Sequence, residues 1–236
     1  MNQPKSWTQH YLYAHWRECI WADCIPADVI QADVLPQLRV HCYQPGQALW
    51  RRGDVPTAWV GVMGGAAKLC LTTAEGRAVT VGCTAGSWIG EAPLILGAAR
   101  HSCDAVALHT LTAVSMPRAC FDYLRRNYLT FGLFLQELMA ERNQQLMDLL
   151  AAQQEGNTPV KVAKCLAALL TPRNFPTPQS REIQVSQGEL SELCQVSRSR
   201  LSEALSTLEA QGLIHVGYRR IEILDWNAMR GLLLYE

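Results

Sequence analysis

Between Ser186 and Gly212 the apolar residues recur at three- and four-residue steps, the spacing of one buried helix face. Leu190 and Leu193 mark a first short helix; Leu201, Ala204, Leu205 and Leu208 mark a second, with a turn near Cys194-Gln195-Val196. Ser186 followed by Glu189 is a reciprocal cap, a hydroxyl and a carboxylate placed to satisfy amide donors at a helix start. Ser197 can cap the second helix and Gly212 can stop it. From Leu213 to Leu224 the period falls to two around Gly217-Tyr218, which predicts a small hairpin with Arg219 and Arg220 beside its turn. Two helices and a basic hairpin make a winged helix-turn-helix. The start of its second helix carries Ser197, Arg198, Ser199, Arg200 and Ser202, the arginines and hydroxyls that suit base edges and phosphates in a major groove.

Upstream the pattern differs. From Val40 to Pro117 short alternating stretches are punctuated by glycines, and the strands predicted are Gln47–Trp50, Ala58–Met63, Ala66–Thr72, Ala78–Cys83 and Asp104–Met116. Many short strands with turns at Arg52-Gly53-Asp54 and Glu75-Gly76-Arg77 imply an antiparallel barrel or sandwich. Phe121 to Gln154 reads as the longest helical stretch. Phe131, Leu135, Leu138, Arg142, Gln145, Leu149 and Ala152 fall on one near-heptad stripe, widened alongside by Leu146 and Leu150, that asks for a partner, with packing on the β-structure able to supply part of it. The aromatic-rich segment up to Leu38 predicts short helices packed on the adjoining β-structure. Gln153 to Asn157 is polar and breaks the long helix, Thr158 caps the next one, and Thr171 to Ser180 is a surface loop. Arg181–Val185 is a first small strand, and Trp226–Glu236 a terminal helix.

The chain has 236 residues, room for two modest domains, and equal numbers of basic and acidic residues, 21 each. Residues 156–236 hold 9 basic and 8 acidic side chains, so affinity for DNA must come from placed arginines rather than a global field. No apolar run reaches membrane-spanning length and no signal segment is visible, so a cytoplasmic protein with no membrane partner is expected. The nine cysteines then read as reduced thiols. No serine–histidine–aspartate ordering, phosphate loop, metal-ligand spacing or paired carboxylates appear, so no enzyme, no catalytic residue and no metal site is expected.

Ser186 to Leu224 resembles the DNA-binding domain of the CRP/FNR (cyclic-AMP receptor protein) regulators. Gly53, Gly65, Gly76, Gly86 and Gly90 fall where that family's cyclic-nucleotide-binding β-roll has its turn glycines. The resemblance covers nearly the whole chain. It implies an α+β fold with an N-terminal cyclic-nucleotide-binding-like antiparallel β-roll, a long dimerisation helix and a C-terminal winged helix-turn-helix. The expected division is 1–117, 118–155 and 156–236.

The resemblance also implies where an effector would sit. Gly90-Glu91 opens the family's phosphate-binding cassette, whose arginine is matched by Arg100 in one spacing and by His101, followed by Ser102, in another. The two polar positions that touch adenine from the long helix are Leu146 and Met147 here, so cyclic AMP is not expected to bind in the usual way. No cofactor is required by the sequence. A cyclic nucleotide, an apolar effector or no ligand stays open; haem on His101 and Cys103 is disfavoured because lone histidines and thiols on a strand are more often structural, and Cys19, Cys24 and Cys42 do not have the spacing of an iron–sulfur site.

The reading is a homodimeric transcription regulator, paired through residues 127–154, that binds double-stranded DNA with half-sites roughly 34 Å apart. RNA polymerase is a further partner implied by the family. Arg198 would read a guanine edge beside Ser199 and Ser202, with Ser197, Arg200, Arg219 and Arg220 on phosphates. Glu203, where well-known members have an arginine, would change the sequence read. The alternative is a cyclic-nucleotide-, redox- or haem-responsive adaptor that acts through protein contacts.

Overall fold

The computed structural model describes residues 9–72, 78–83, 87–169, 182–183 and 185–231. The predicted turn at Glu75-Gly76-Arg77, Gly86, the loop Thr171–Ser180 and the chain after Gly231 lie outside them. Helix α1 (Gln9–His15) and a series of short turns, including α2 (Ala27–Val29), lead into β1 (Arg39–Tyr43). Strands β2 (Ala48–Trp50), β3 (Ala58–Gly64), β4 (Ala67–Thr72), β5 (Ala78–Cys83) and β6 (Trp88–Ile89) follow, then helix α3 (Glu91–Ile95), β7 (Asp104–Ala107) and β8 (Leu111–Pro117).

These strands form two antiparallel four-stranded sheets, ordered β1-β8-β3-β6 and β2-β7-β4-β5. The stretch expected as one strand, Asp104–Met116, is two strands in different sheets: β7 pairs with β2 and β4, whereas β8 pairs with β1 and β3. The turn at Leu108–Thr110 switches sheets and contains no glycine or proline to announce it. Gly61 in β3 is fixed by packing, because a Cβ there would lie 2.6 Å from the Trp88 ring.

Helices α4 (Arg118–Asn127) and α5 (Leu129–Gln153) replace the single helix expected from Phe121 onward. The break is Tyr128, whose extended backbone (φ −122, ψ 102) turns the chain. The apolar stripe assigned to a partner turns inward instead. Phe131, Leu135 and Leu138 are buried with Trp21, Trp59, Trp88 and Phe121 in one core, and Leu149 packs on the core of the C-terminal module. A second stripe is left outside: Leu129, Leu133, Gln136, Ala140, Asn143, Met147 and Leu150, alternating four- and three-residue steps. Its leucines at 129, 133 and 150 are 77%, 48% and 63% exposed.

The C-terminal module contains α6 (Thr158–Leu169), β9 (Glu182–Ile183), α7 (Gln187–Cys194), α8 (Arg198–Ala210), β10 (Ile214–Gly217), β11 (Arg220–Ile223) and α9 (Trp226–Gly231). Its three-stranded antiparallel sheet runs β10-β11-β9. The cap of α6 is Asn157, whose Oδ1 accepts from the Val160 amide at 3.4 Å, one residue before the expected Thr158. Val162, Leu166, Leu190, Leu193, Leu201, Leu205, Leu208, Ile214, Ile221 and Met229 close a separate core.

Candidate nucleic-acid interface and effector cassette

Both ends of the helix-turn-helix are fixed by the caps read from sequence. Ser186 Oγ accepts from the Glu189 amide (3.3 Å), and Glu189 Oε2 accepts from the Ser186 amide (2.7 Å). Gln195 sits in the left-handed region at φ 52, a cost that the tight turn requires. Ser197 Oγ accepts from the Arg200 amide at 3.3 Å and starts α8. Leu201, Ala204, Leu205 and Leu208 bury one side of that helix.

The other side is exposed and carries Arg198, Ser199, Arg200, Ser202 and Glu203. Arg198 leans back over Gly188 of α7. Arg200 and Glu203 instead line a cleft of about 270 Å³ shared with Thr158 and Pro159. Ser199 Oγ donates to Glu203 Oε1 at 3.4 Å, so the glutamate unique to this face is held beside a hydroxyl. The two wing arginines expected on phosphates already have intramolecular partners. Arg220 reaches Glu182 at 3.4 Å, and Arg219, with φ 54 at the hairpin tip, donates to His109 Nδ1 at 3.1 Å. The wing is also pinned by Glu209, whose carboxylate accepts from the Val216 amide (2.8 Å) and meets His215 (3.1 Å). The Val216 amide, more than His215, draws the Glu209 carboxyl below its usual range.

The cassette is built differently. Gly90, at φ +88, turns the chain from β6 into α3 and presents Glu91 inward rather than to solvent. Glu91 is 2% exposed. Its Oε1 lies 2.8 Å from Arg142 Nε on α5, and its Oε2 accepts from Trp59 Nε1 at 3.2 Å. Arg142 also donates to the Trp88 carbonyl. Sequence reasoning placed Arg142 in an apolar stripe without asking what pairs it. A charge in a buried stripe demands a carboxylate, and that signal could have found Glu91.

The remaining cassette residues come together around Trp50, not around Glu91. His101 is buried and stacks on the Trp50 ring, centroids 4.5 Å apart at 14°. Burial pushes its imidazole below the ordinary value, only partly offset by the Asp54 carboxylate, so it is neutral at pH 7. Arg100 donates to the Gly53 carbonyl at 2.6 Å, and Ser102 is exposed. Leu146 and Met147 are 49% and 57% exposed on α5.

A cyclic nucleotide needs a cation for its phosphate and a free carboxylate for its ribose. In one spacing the stacked imidazole of His101 stands at the cation's position and in the other Arg100 does, donating to the Gly53 carbonyl, while the carboxylate answers a guanidinium and an indole. Beside them the cavity lined by Ser87, Trp88, Leu138, Arg142 and Gln145 holds about 10 Å³, room for about one water. The carboxylate is thus engaged within the protein. Among the described residues no group of three or more His, Cys, Asp or Glu could hold a metal ion.

A β-roll closed around a buried ion pair, a long helix and a winged helix-turn-helix define a two-domain regulator. Family comparison agrees and is more specific. Residues 40–128 match the model of the cyclic nucleotide-binding domain, and residues 160–232 match the Crp-like helix-turn-helix domain. The chain belongs to the CRP/FNR family of transcription regulators. No curated protein sequence matches it.

Solved structures share the fold at low identity. FixK2 of Bradyrhizobium japonicum gives a TM-score of 0.62 at 14% identity, covering 83% of this chain and 96% of its own. A Ruegeria pomeroyi protein provisionally assigned to cyclic nucleotide binding gives 0.62 at 20% identity, covering 96% and 98%. The c-di-GMP-responsive regulator CLP of Xanthomonas campestris gives 0.52 at 17% identity, covering 80% and 95%. The family consists of transcription regulators rather than enzymes, and its members bind DNA as dimers. No helix among the described residues is long and apolar enough to cross a membrane.

Proposed function

We propose that this chain is a homodimeric, sequence-specific DNA-binding regulator whose β-roll does not answer to cyclic AMP. The expected division at 117 and 155 is kept. The observation that carries the reading is the first turn of α8. Arg198, Ser199, Arg200 and Ser202 are all exposed on a helix whose other face is fixed by the buried Leu201, Ala204, Leu205 and Leu208, which leaves them open to a partner. In a major groove Arg198 pairs with a guanine edge, Ser199 and Ser202 flank it, and Ser197, Arg200, Arg219 and Arg220 take phosphates. Glu203 accepts from a cytosine amino group. Dimerisation uses the outer stripe of α5, where Asn143 at a core position sets register and Leu129, Leu133, Met147 and Leu150 supply the apolar contact. RNA polymerase and a cytoplasmic location follow from this role.

The near-neutral C-terminal module keeps a second reading in view, an adaptor that works through protein contacts. Titrating the full-length protein with duplex DNA over a salt series separates the two. With about six phosphate contacts per dimer, log affinity falls against log salt with a slope near −5. A flat response, or no binding in dilute salt, favours the adaptor.

A further inference from the structure

One cluster of charged side chains is not used by the DNA-binding face. It lies where the β-roll meets the winged helix. His109, in the turn between β7 and β8, stands between two groups of the C-terminal module: its Nε2 is 3.5 Å from Glu189 Oε2, and its Nδ1 is 3.1 Å from Arg219 Nη2. Lys68 of β4 meets Glu192 of α7 at 3.4 Å. Two basic groups of the β-roll thus face two carboxylates of the first helix of the helix-turn-helix.

The chemistry of the His109 contact is determined. A guanidinium only donates, so Nδ1 must accept and the imidazole proton must sit on Nε2, aimed at Glu189. His109 is therefore a two-sided link, and one side holds the guanidinium at the wing tip. That guanidinium borders a crease of about 280 Å³ lined by His109, Glu182, Tyr218, Arg219 and Arg220. Glu182 in the crease and Glu189 behind His109 are both carboxylates and disfavour a DNA phosphate at Arg219 there. A phosphate that draws Arg219 outward competes with His109 for it.

We infer that His109 is a latch through which the β-roll withholds the wing arginine Arg219 from DNA. In the structure this contact is formed. The inference rests on the DNA-binding reading above, and its test separates the two. The latch and a phosphate compete for one guanidinium, and an exposed contact of this kind changes an equilibrium by about two- to fivefold.

Duplex affinity is compared for wild type, His109→Ala, Arg219→Ala and the double variant at fixed salt. His109→Ala is expected to tighten binding by that factor, and to have no effect once Arg219 is alanine, a full coupling in the double-mutant cycle. His109→Gln keeps an acceptor for the guanidinium and stays close to wild type. Amide exchange of Gly217 to Arg220 without DNA is expected to quicken in His109→Ala alone. Unchanged affinity and unchanged exchange in His109→Ala would falsify the latch even if DNA binds well. A tightening that persists in the Arg219→Ala background overturns it too. Faster exchange with no duplex binding by any variant upholds the contact and sinks the DNA reading instead.

Discussion

At the cassette, the carboxylate of Glu91 is enclosed by Arg142 and Trp59; at the start of α8, Arg198 and Arg200 lie in solvent above Leu201 and Leu205. Both regions carry the charged and hydroxyl side chains from which ligand sites are made. Only the second leaves its charged groups exposed. A buried ion pair has given up hydration for its partner, so a ligand that takes the carboxylate must first part it from Arg142. An arginine at an exposed helix start keeps its hydration until a phosphate or base replaces it. On this contrast the cassette carboxylate fastens the sheet to the long helix, while the start of α8 leaves its arginines exposed.

The largest effect expected is on assembly. Leu150→Lys on the outer face of α5 places a charge at the seam twice per dimer, and about 3–6 kcal/mol of association is lost on apolar area alone. Sedimentation is expected to show single subunits with an unchanged melting profile of each fold. Leu138→Ala, on the inner face of the same helix, should do the reverse: about 2–4 kcal/mol of fold stability lost to a cavity, with the dimer intact. Equal behaviour of the two variants would remove the distinction between the faces.

Next in size is the fastening itself. Glu91→Ala leaves Arg142 without its carboxylate in the core, and a loss of about 3 kcal/mol in denaturant unfolding is expected, the lower end for a broken buried pair because Arg142 is partly exposed. Cyclic AMP should not raise the melting temperature of wild type. Arg198→Ala is smaller in energy and sharper in meaning. About 1–3 kcal/mol should be lost on a selected duplex, with specificity relaxed at one base pair. A uniform loss on all sequences would make Arg198 a phosphate contact instead.

The smallest effect concerns the wing. The folded-state carboxyl of Glu209 lies below its unfolded value, so its contribution is present above the ordinary carboxylate range and fades as pH falls through the folded value. The protection of the Val216 amide, its exchange relative to the intrinsic rate at the same pH, should therefore fall in acid in wild type. In Glu209→Ala, which has no acceptor for that amide, the protection should be low at neutral pH already.

Much of this was legible along the chain because local chemistry and packing agree in the C-terminal module. Ser186 with Glu189, Ser197, the turn at Gln195 and the leucines of α8 each signal their own conformation. The β-roll was legible in kind but not in detail, since the turn after Ala107 has none of the residues that mark a sheet change. Tyr128 breaks α4 from α5 without a proline or glycine beside it. The choice between two apolar stripes on α5 could not be made locally, because both have helical spacing and only the position of the aromatic core decides which is covered. Glu91 and Arg142 lie on separate elements, and no short-range pattern joins them.

The contrast between a closed cassette and an open recognition helix is tested most directly by one titration. Affinity of the full-length dimer for a selected duplex is measured with and without millimolar cyclic AMP. A ligand that cannot enter has no differential affinity for any state, so the two curves should superimpose within about twofold at every salt concentration. Duplex binding that appears only when cyclic AMP is added would contradict the account.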